Sequence, residues 1–291
     1  MKRFLSFFLL LLSLINCSNK RKAPIEEASK ALHRRDYSTV ITMLHPYIKY
    51  SNPQVFYLMG KAYLGSKNLY EANKFLDSLA KMDTLYADSI GIAYLKRGIE
   101  LARLGERTTA LEMLSKGEHF ISDSSIYKKG YKAEADIYKY NGEYTKAIKY
   151  FNASLKFETD SLSRVELYTN LMKTYEEMGR WDLAYNTGFR AMREKFYFIQ
   201  TDMARDGVEY LKDLMRRGKV DSAEMIIQII DPLQFPTRLK PEYLLLKGDF
   251  FMKSGDLSSA LEAYRTILTL TPRPPQSIIM NAKKRIKMVG E

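Results

Sequence analysis

A glycine that returns at a fixed interval constrains this 291-residue chain more than any other feature. Gly105, Gly142, Gly179, Gly218 and Gly255 are separated by 37, 37, 39 and 37 residues. Five residues after each stands an alanine: Ala110, Ala147, Ala184, Ala223 and Ala260. Four residues before each stands a bulky apolar residue: Leu101, Tyr138, Tyr175, Leu214 and Phe251. Three further back stand Gly98, Ala135, Met172, Leu211 and Gly248, and four past the alanines come Leu114, Phe151, Gly188, Ile227 and Tyr264. Self-similarity at such a period marks a repeat architecture. Apolar residues spaced i, i+3, i+4 within each period predict helices. The glycine stands where the first helix of a pair ends, because it alone takes the left-handed C-cap conformation without a Cβ penalty. Each period therefore reads as two amphipathic helices joined by a tight turn. Small residues such as Gly98 and Gly248, with the alanine on the next helix, let the paired helices approach closely.

This order of Gly, bulky apolar, Gly, Ala and aromatic resembles the tetratricopeptide repeat. Two further units are visible upstream. One contains Gly60, Tyr63, Ala72 and Leu76, with Asn68 near the turn in place of Gly; the first is degenerate, with Ala31, Asp36, Tyr37, Val40 and Leu44. The resemblance covers residues 25–272 and implies an all-α fold, an α-solenoid of about seven helix-turn-helix units. The period near 37 exceeds the family's 34, so helices or inter-repeat loops should be slightly longer. Ser163 with Glu166 reads as a capping box, and Pro241 suits a first helical turn. Residues 273–291 carry one more helix, over Ser277 to Val289. Its apolar stripe is Ile278, Ile279, Ala282, Ile286 and Val289; Lys283, Lys284, Arg285 and Lys287 form a wet face. Terminal repeats need a polar-faced cap, and this helix is expected to supply it.

The N-terminus reads as an export signal, residues 1–16. Lys2 and Arg3 precede an apolar run from Phe4 to Ile15, too short for a membrane span of about 20 residues. Cys17, the chain's one cysteine, closes the run Leu14-Ile15-Asn16-Cys17. This resembles a bacterial lipobox and implies lipidation at Cys17, although Asn16 stands where Gly, Ala or Ser is usual. The other reading is an ordinary cleaved signal with an incidental cysteine. Residues 17–24 form a polar tether. Ser18, rather than Asp, after the cysteine favours the outer membrane, facing the periplasm.

The net charge of +12 does not point to nucleic acid. Residues 1–22 carry +5 and residues 271–291 carry +4, which leaves only +3 of mixed sign on the body. A nucleic-acid reader would show a basic stripe across its fold. One cysteine excludes a disulfide framework and Cys-ligated zinc. His33, His45 and His119 are scattered, and no phosphate-binding loop, G-x-S-x-G elbow or H-E-x-x-H occurs. Neither catalysis, nor a cofactor, nor a small-molecule substrate is expected.

What remains is binding of a protein or peptide partner in the cell envelope, on the concave face lined by the first helix of each unit. The residues expected there are Tyr57 and Lys61; Lys129, Lys132, Asp136 and Lys139; Thr169, Lys173 and Glu176; Arg205 and Lys212; and Asp249. Some members of the resembled family grip a terminal carboxylate through Lys and Asn residues. Lys132, Asn170 and Arg205 partly match that set, but Asp136 and Glu209 would repel a carboxylate. The expected role is a membrane-anchored adaptor or scaffold. The alternatives are a component of outer-membrane β-barrel assembly, an adaptor for a cell-wall peptidase, or a soluble periplasmic regulator.

Overall fold

The computed structural model describes residues 23–290. The export signal, Cys17 and most of the tether lie outside the described residues. Fifteen α-helices and three short 3-10 turns form the described residues, with no strand among them. Seven helix pairs follow one another, each closed by a tight turn. They are α1 (Ile25–His33) with α2 (Tyr37–Leu44), α3 (Pro53–Gly65) with α4 (Leu69–Met82), and α5 (Ala87–Arg103) with α6 (Arg107–Phe120). Then come α7 (Lys128–Tyr140) with α8 (Tyr144–Phe157), α9 (Ser161–Glu177) with α10 (Trp181–Arg193), α11 (Gln200–Arg216) with α12 (Val220–Ile230), and α13 (Lys240–Ser254) with α14 (Leu257–Thr269). A last helix, α15, spans Gln276–Gly290. The fold class is thus all-α, a solenoid of seven helix-turn-helix units with a C-terminal cap.

The chain forms two compact bodies, one ending at Gly130 and the other beginning at Tyr131. In the first, Ala31, Val40, Leu44, Val55, Met59 and Ala62 form a closed apolar cluster. In the second, Phe151, Tyr168, Met203, Leu211, Ile227, Tyr243 and Tyr264 belong to one continuous core. Each such side chain contributes about 1.5–3 kcal/mol by leaving water. Several buried tyrosines of the two bodies have bonded hydroxyls, although that of Tyr185 has no partner among the described residues. Tyr94 donates to Asn73 at 2.8 Å, Tyr127 to the Leu114 carbonyl at 2.7 Å and Tyr243 to Asp231 at 2.9 Å.

Helices within a pair approach through a small residue facing a large one sixteen positions on. A Cβ on Gly60 would collide with Leu76, one on Gly98 with Leu114 and one on Gly248 with the Tyr264 ring. In the fifth pair the sizes are exchanged, and Gly188 lies against Met172. The recurring alanines Ala110, Ala147, Ala184, Ala223 and Ala260 are all buried.

All five turn glycines have positive φ, from 66° to 87°. The motif is visible at Gly142: its N–H donates to the Lys139 carbonyl at 3.0 Å, and the Glu143 N–H donates to Tyr138 at 2.8 Å. Two N–H groups thus satisfy carbonyls left open at the helix end. In the first two units Arg35 (φ 61°) and Lys67 (φ 65°) hold this position. Asn68 is therefore not the left-handed residue; its side chain caps α4 by accepting from the Glu71 N–H. Lys195 (φ 67°) ends α10 in the same way.

Helix starts differ from expectation at one point. Asp160, not Ser163, caps α9, accepting from the Ser163 N–H at 2.8 Å. Ser163 lies inside the helix, and Glu166 turns to Lys132 instead. Pro241 does sit in the first turn of α13. In α15, Ile279 and Ala282 are buried and Ile278, Ile286 and Val289 pack on the second body's core, as a cap requires. Arg285, however, leaves the expected wet face. It makes a two-pronged pair with Asp249 of α13, which also accepts from the Tyr264 hydroxyl.

A Cβ on Gly142 would meet no atom within 4 Å, so its substitution tests the backbone alone. Gly142→Ala is expected to lower stability by about 1–2 kcal/mol, the cost of a left-handed L-residue. Lys195→Gly should raise it by about 0.5–1 kcal/mol, part of the relieved strain being offset by the freer unfolded chain. Urea unfolding at constant slope checks both, and an unchanged midpoint in either variant contradicts the turn assignment.

Candidate protein-interaction face

The first helices of the second body carry alternating charges that meet across pairs. Lys132 of α7 lies 3.0 Å from Glu166 of α9 and 3.3 Å from Asp136 in its own helix. Lys139 reaches Glu177 of α9 at 3.4 Å. Arg205 of α11 reaches back to Glu176 of α9 at 2.9 Å and to Asp202 at 3.0 Å. Lys212 of α11 bridges Glu209 at 2.7 Å and Glu242 of α13 at 2.6 Å. Arg285 on Asp249 ends the series at the cap. The result is a ladder of ion pairs that ties each first helix to the next.

The candidate residues divide accordingly. Lys132, Asp136, Lys139, Glu176, Arg205, Lys212 and Asp249 are members of the ladder. Thr169 bonds back to the Val165 carbonyl at 2.9 Å, a local bond within its own helix. Lys129 and Lys173 are exposed. In the first body, the Tyr57 hydroxyl donates to the Ser89 carbonyl at 3.4 Å, and the Lys61 ammonium lies 5.0 Å from the Tyr57 ring centre. Burial, and then the nearby charge of Lys96, pulls the Lys61 pKa below its ordinary value. The terminal-carboxylate grip gains nothing here, because Arg205 already faces three carboxylates, Asp206 at 3.7 Å included.

Sequence reasoning named Asp136, Glu176 and Asp249 but missed four other acids of the ladder: Glu166, Glu177, Asp202 and Glu242. It also missed Asp206, a fully buried acid whose two carboxyl oxygens have no hydrogen-bond partner. Its signal was present, since Asp206 interrupts the buried run Met203, Ala204, Gly207 and Val208 of α11. Burial, and then the charge of Glu176, pushes its pKa up to about 8, against the pull of Arg205.

Several clefts open on the second body. One, of about 500 Å³, is lined by Glu209, Lys212, Met215, Arg216, Leu246 and Lys253. A smaller one, of about 100 Å³, shares Met215 and Lys253 with it and adds Gly218, Lys219, Val220, Ala223, Phe250 and Ser254. No group of three or more metal-ligating side chains occurs among the described residues, and no described helix is long and apolar enough to cross a membrane.

The tetratricopeptide repeat family model matches residues 131–160 and 241–274. These are the helix pairs α7–α8 and α13–α14, so the chain carries tetratricopeptide repeats in its second body. Its fold is the TPR-like α-solenoid. No curated protein matches the sequence. Among solved structures the chain is similar to Naa15/Naa10 bound to HypK-THB, at 12% identity and a TM-score of 0.55, over 90% of this chain and 38% of that one. It is also similar to the C-terminal part of a TPR repeat-containing protein from Cytophaga hutchinsonii, at 16% identity and a TM-score of 0.43, over 88% of this chain and 98% of that one. A third is a tetratricopeptide repeat protein from Parabacteroides merdae, at 14% identity and a TM-score of 0.39, over 92% and 97%. At these identities the likeness is one of fold.

Asp206 gives the second body a pH dependence of definite sign. The unfolded chain releases this proton near the ordinary value of 3.8, the folded chain only near 8. Stability from the group is full below about pH 4 and is lost as pH rises through about 8. Asp206→Asn should flatten that decline between pH 5 and pH 9, measured as the difference in unfolding free energy. A wild-type profile no steeper than the variant's would contradict the assignment.

Proposed function

We propose that this chain is a membrane-anchored adaptor of the bacterial envelope that holds a protein segment on the first-helix face of its repeat. The observation that carries the reading is the ion-pair ladder. Its members are partly exposed, with Lys132 at 31%, Glu166 at 56%, Arg205 at 41% and Glu242 at 46%. Pairs of this kind are worth about 0–1 kcal/mol each. An incoming segment of mixed charge exchanges them at little cost and gains register from the alternation of signs. A face built only for stability would bury apolar side chains there instead. The mixed cleft at Lys212, Met215 and Leu246 gives such a segment an apolar foothold.

The anchor in this reading is a lipid on Cys17, with the outer membrane as its site and the periplasm as the compartment of the array. Subunits of β-barrel assembly and cell-wall peptidases are the partner classes to look for. Cys17→Ser is expected to abolish labelling by a tagged fatty acid and to release the protein from membranes or leave it uncleaved. An unlabelled wild-type protein would defeat the anchor.

The face is tested by crosslinking recovery from intact envelopes. Lys132→Gln with Lys173→Glu should lose the main partner while the thermal melt falls only slightly, since Lys173 is exposed and the partly exposed pairs of Lys132 are worth about 0–1 kcal/mol each. Lys283→Glu with Lys284→Glu on the cap should retain it. The opposite pattern would move the binding surface to the cap and end the first-helix reading.

A further inference from the structure

The sixth helix pair breaks the size rule that the others obey. Leu211 of α11 and Ile227 of α12 stand where a small residue should face a large one. The close approach shifts one helical turn away from the tight turn, to Gly207, where a Cβ would fall 2.6 Å from Ile230. The close approach of this pair thus lies toward its open end, away from the turn at Gly218. There the smaller cleft lies, between that turn and the C-terminal end of α13.

The chemistry of this cleft is specific. Its floor is apolar, from Met215, Val220, Ala223 and Phe250. Val220 is 51% exposed at the start of α12, an apolar side chain left at the mouth. Its volume of about 100 Å³ is below that of an engineered cavity of about 150 Å³ that admits benzene, so it suits one aliphatic side chain. Lys219 and Lys253 line it, both exposed and neither with an acidic partner among the described residues. Arg216 adds a third cation where the cleft meets the larger one, with Asp213 already shared between Arg216 and Arg217. A mostly apolar floor asks for an apolar anchor, and two exposed lysines without acidic partners ask for anions beside it.

We propose that the cleft between the α11–α12 turn and α13 seats a short acidic peptide segment, with one bulky apolar side chain on Met215, Val220 and Phe250 and flanking carboxylates on Lys219 and Lys253. The proposal rests on the protein-binding reading above and names a site and a partner chemistry that the reading leaves open. It places the anchor at the turn edge of the repeat, off the ion-pair ladder.

The test uses the full chain and a fluorescein-labelled peptide, Asp-Glu-Leu-Phe-Glu-Asp, with blocked ends. Saturable anisotropy is expected, and it should vanish when the Leu-Phe pair becomes Ala-Ala or when the acids become Lys. Val220→Asp and Lys253→Glu, both at exposed positions, should each weaken binding about tenfold or more with unchanged melting. Equal binding of the Ala-Ala peptide would overturn the proposal, because a bare cationic patch would then suffice. Loss of binding in Lys132→Gln/Lys173→Glu, with Val220→Asp and Lys253→Glu unaffected, would also overturn it while leaving the first-helix reading intact. A dimer in sedimentation that Val220→Asp converts to monomer would assign the cleft to a second copy. No saturation by the wild-type chain would remove the site, whereas recovery of envelope partners judges the wider reading separately.

Discussion

Close approach of paired helices is the constraint on which the rest of this structure depends. Two helices can lie near each other only where one presents a small residue to the other's large one. Gly60 against Leu76, Gly98 against Leu114 and Gly248 against Tyr264 meet that condition from one side, and Gly188 against Met172 meets it from the other. The exchange in the fifth pair shows that the pair of sizes matters more than the identity at either position. A single methyl on Gly98 would lie 2.7 Å from the Leu114 side chain and 3.1 Å from its backbone nitrogen. The second contact cannot relax by a rotamer change, so the backbone itself would have to move.

The turn follows from that packing. Helices held close need a connection of very few residues, and a left-handed residue closing two hydrogen bonds is the shortest available. Glycine makes that conformation cheap, which is why five turns were legible as a period. The turns at Arg35 and Lys67, and the helix end at Lys195, were illegible for the same physical reason. Nothing in a lysine or arginine announces positive φ, and the packing on either side imposes it. The cap at Asp160 was missed because Ser163 and Glu166 offered an alternative start one helical turn further in. Only the carboxylate's bond to the Ser163 N–H decides between them.

The face was legible in its position but not in its pairing. The register that places Lys132, Lys139, Arg205 and Lys212 on first helices is a property of the repeat, and the sequence carries it directly. Whether those cations stand free depends on where Glu166, Glu177, Glu176 and Glu242 point. Such pairs join residues about thirty to forty positions apart, with Lys212 and Glu242 an example at 30. A period of unequal spacings leaves that register uncertain by about half a helical turn. Arg285 shows the same limit: the stripe of α15 was right, yet one cation on it turned inward to Asp249.

Three departures from the repeat lie in the eleventh to thirteenth helices. The sixth pair lacks its small residue at Leu211 and Ile227, so its helices meet through Gly207 instead. Asp206, just before Gly207, occupies a repeat position that is buried in the other units too, as Val55, Leu167 and Tyr243 are, and its carboxyl has no hydrogen-bond partner among the described residues. The cleft lined by Met215, Val220 and Phe250 lies at the turn of this same pair. The sixth pair keeps a small residue against a large one but moves the contact one helical turn, so the rule constrains the pair of sizes and leaves its place along the helices free.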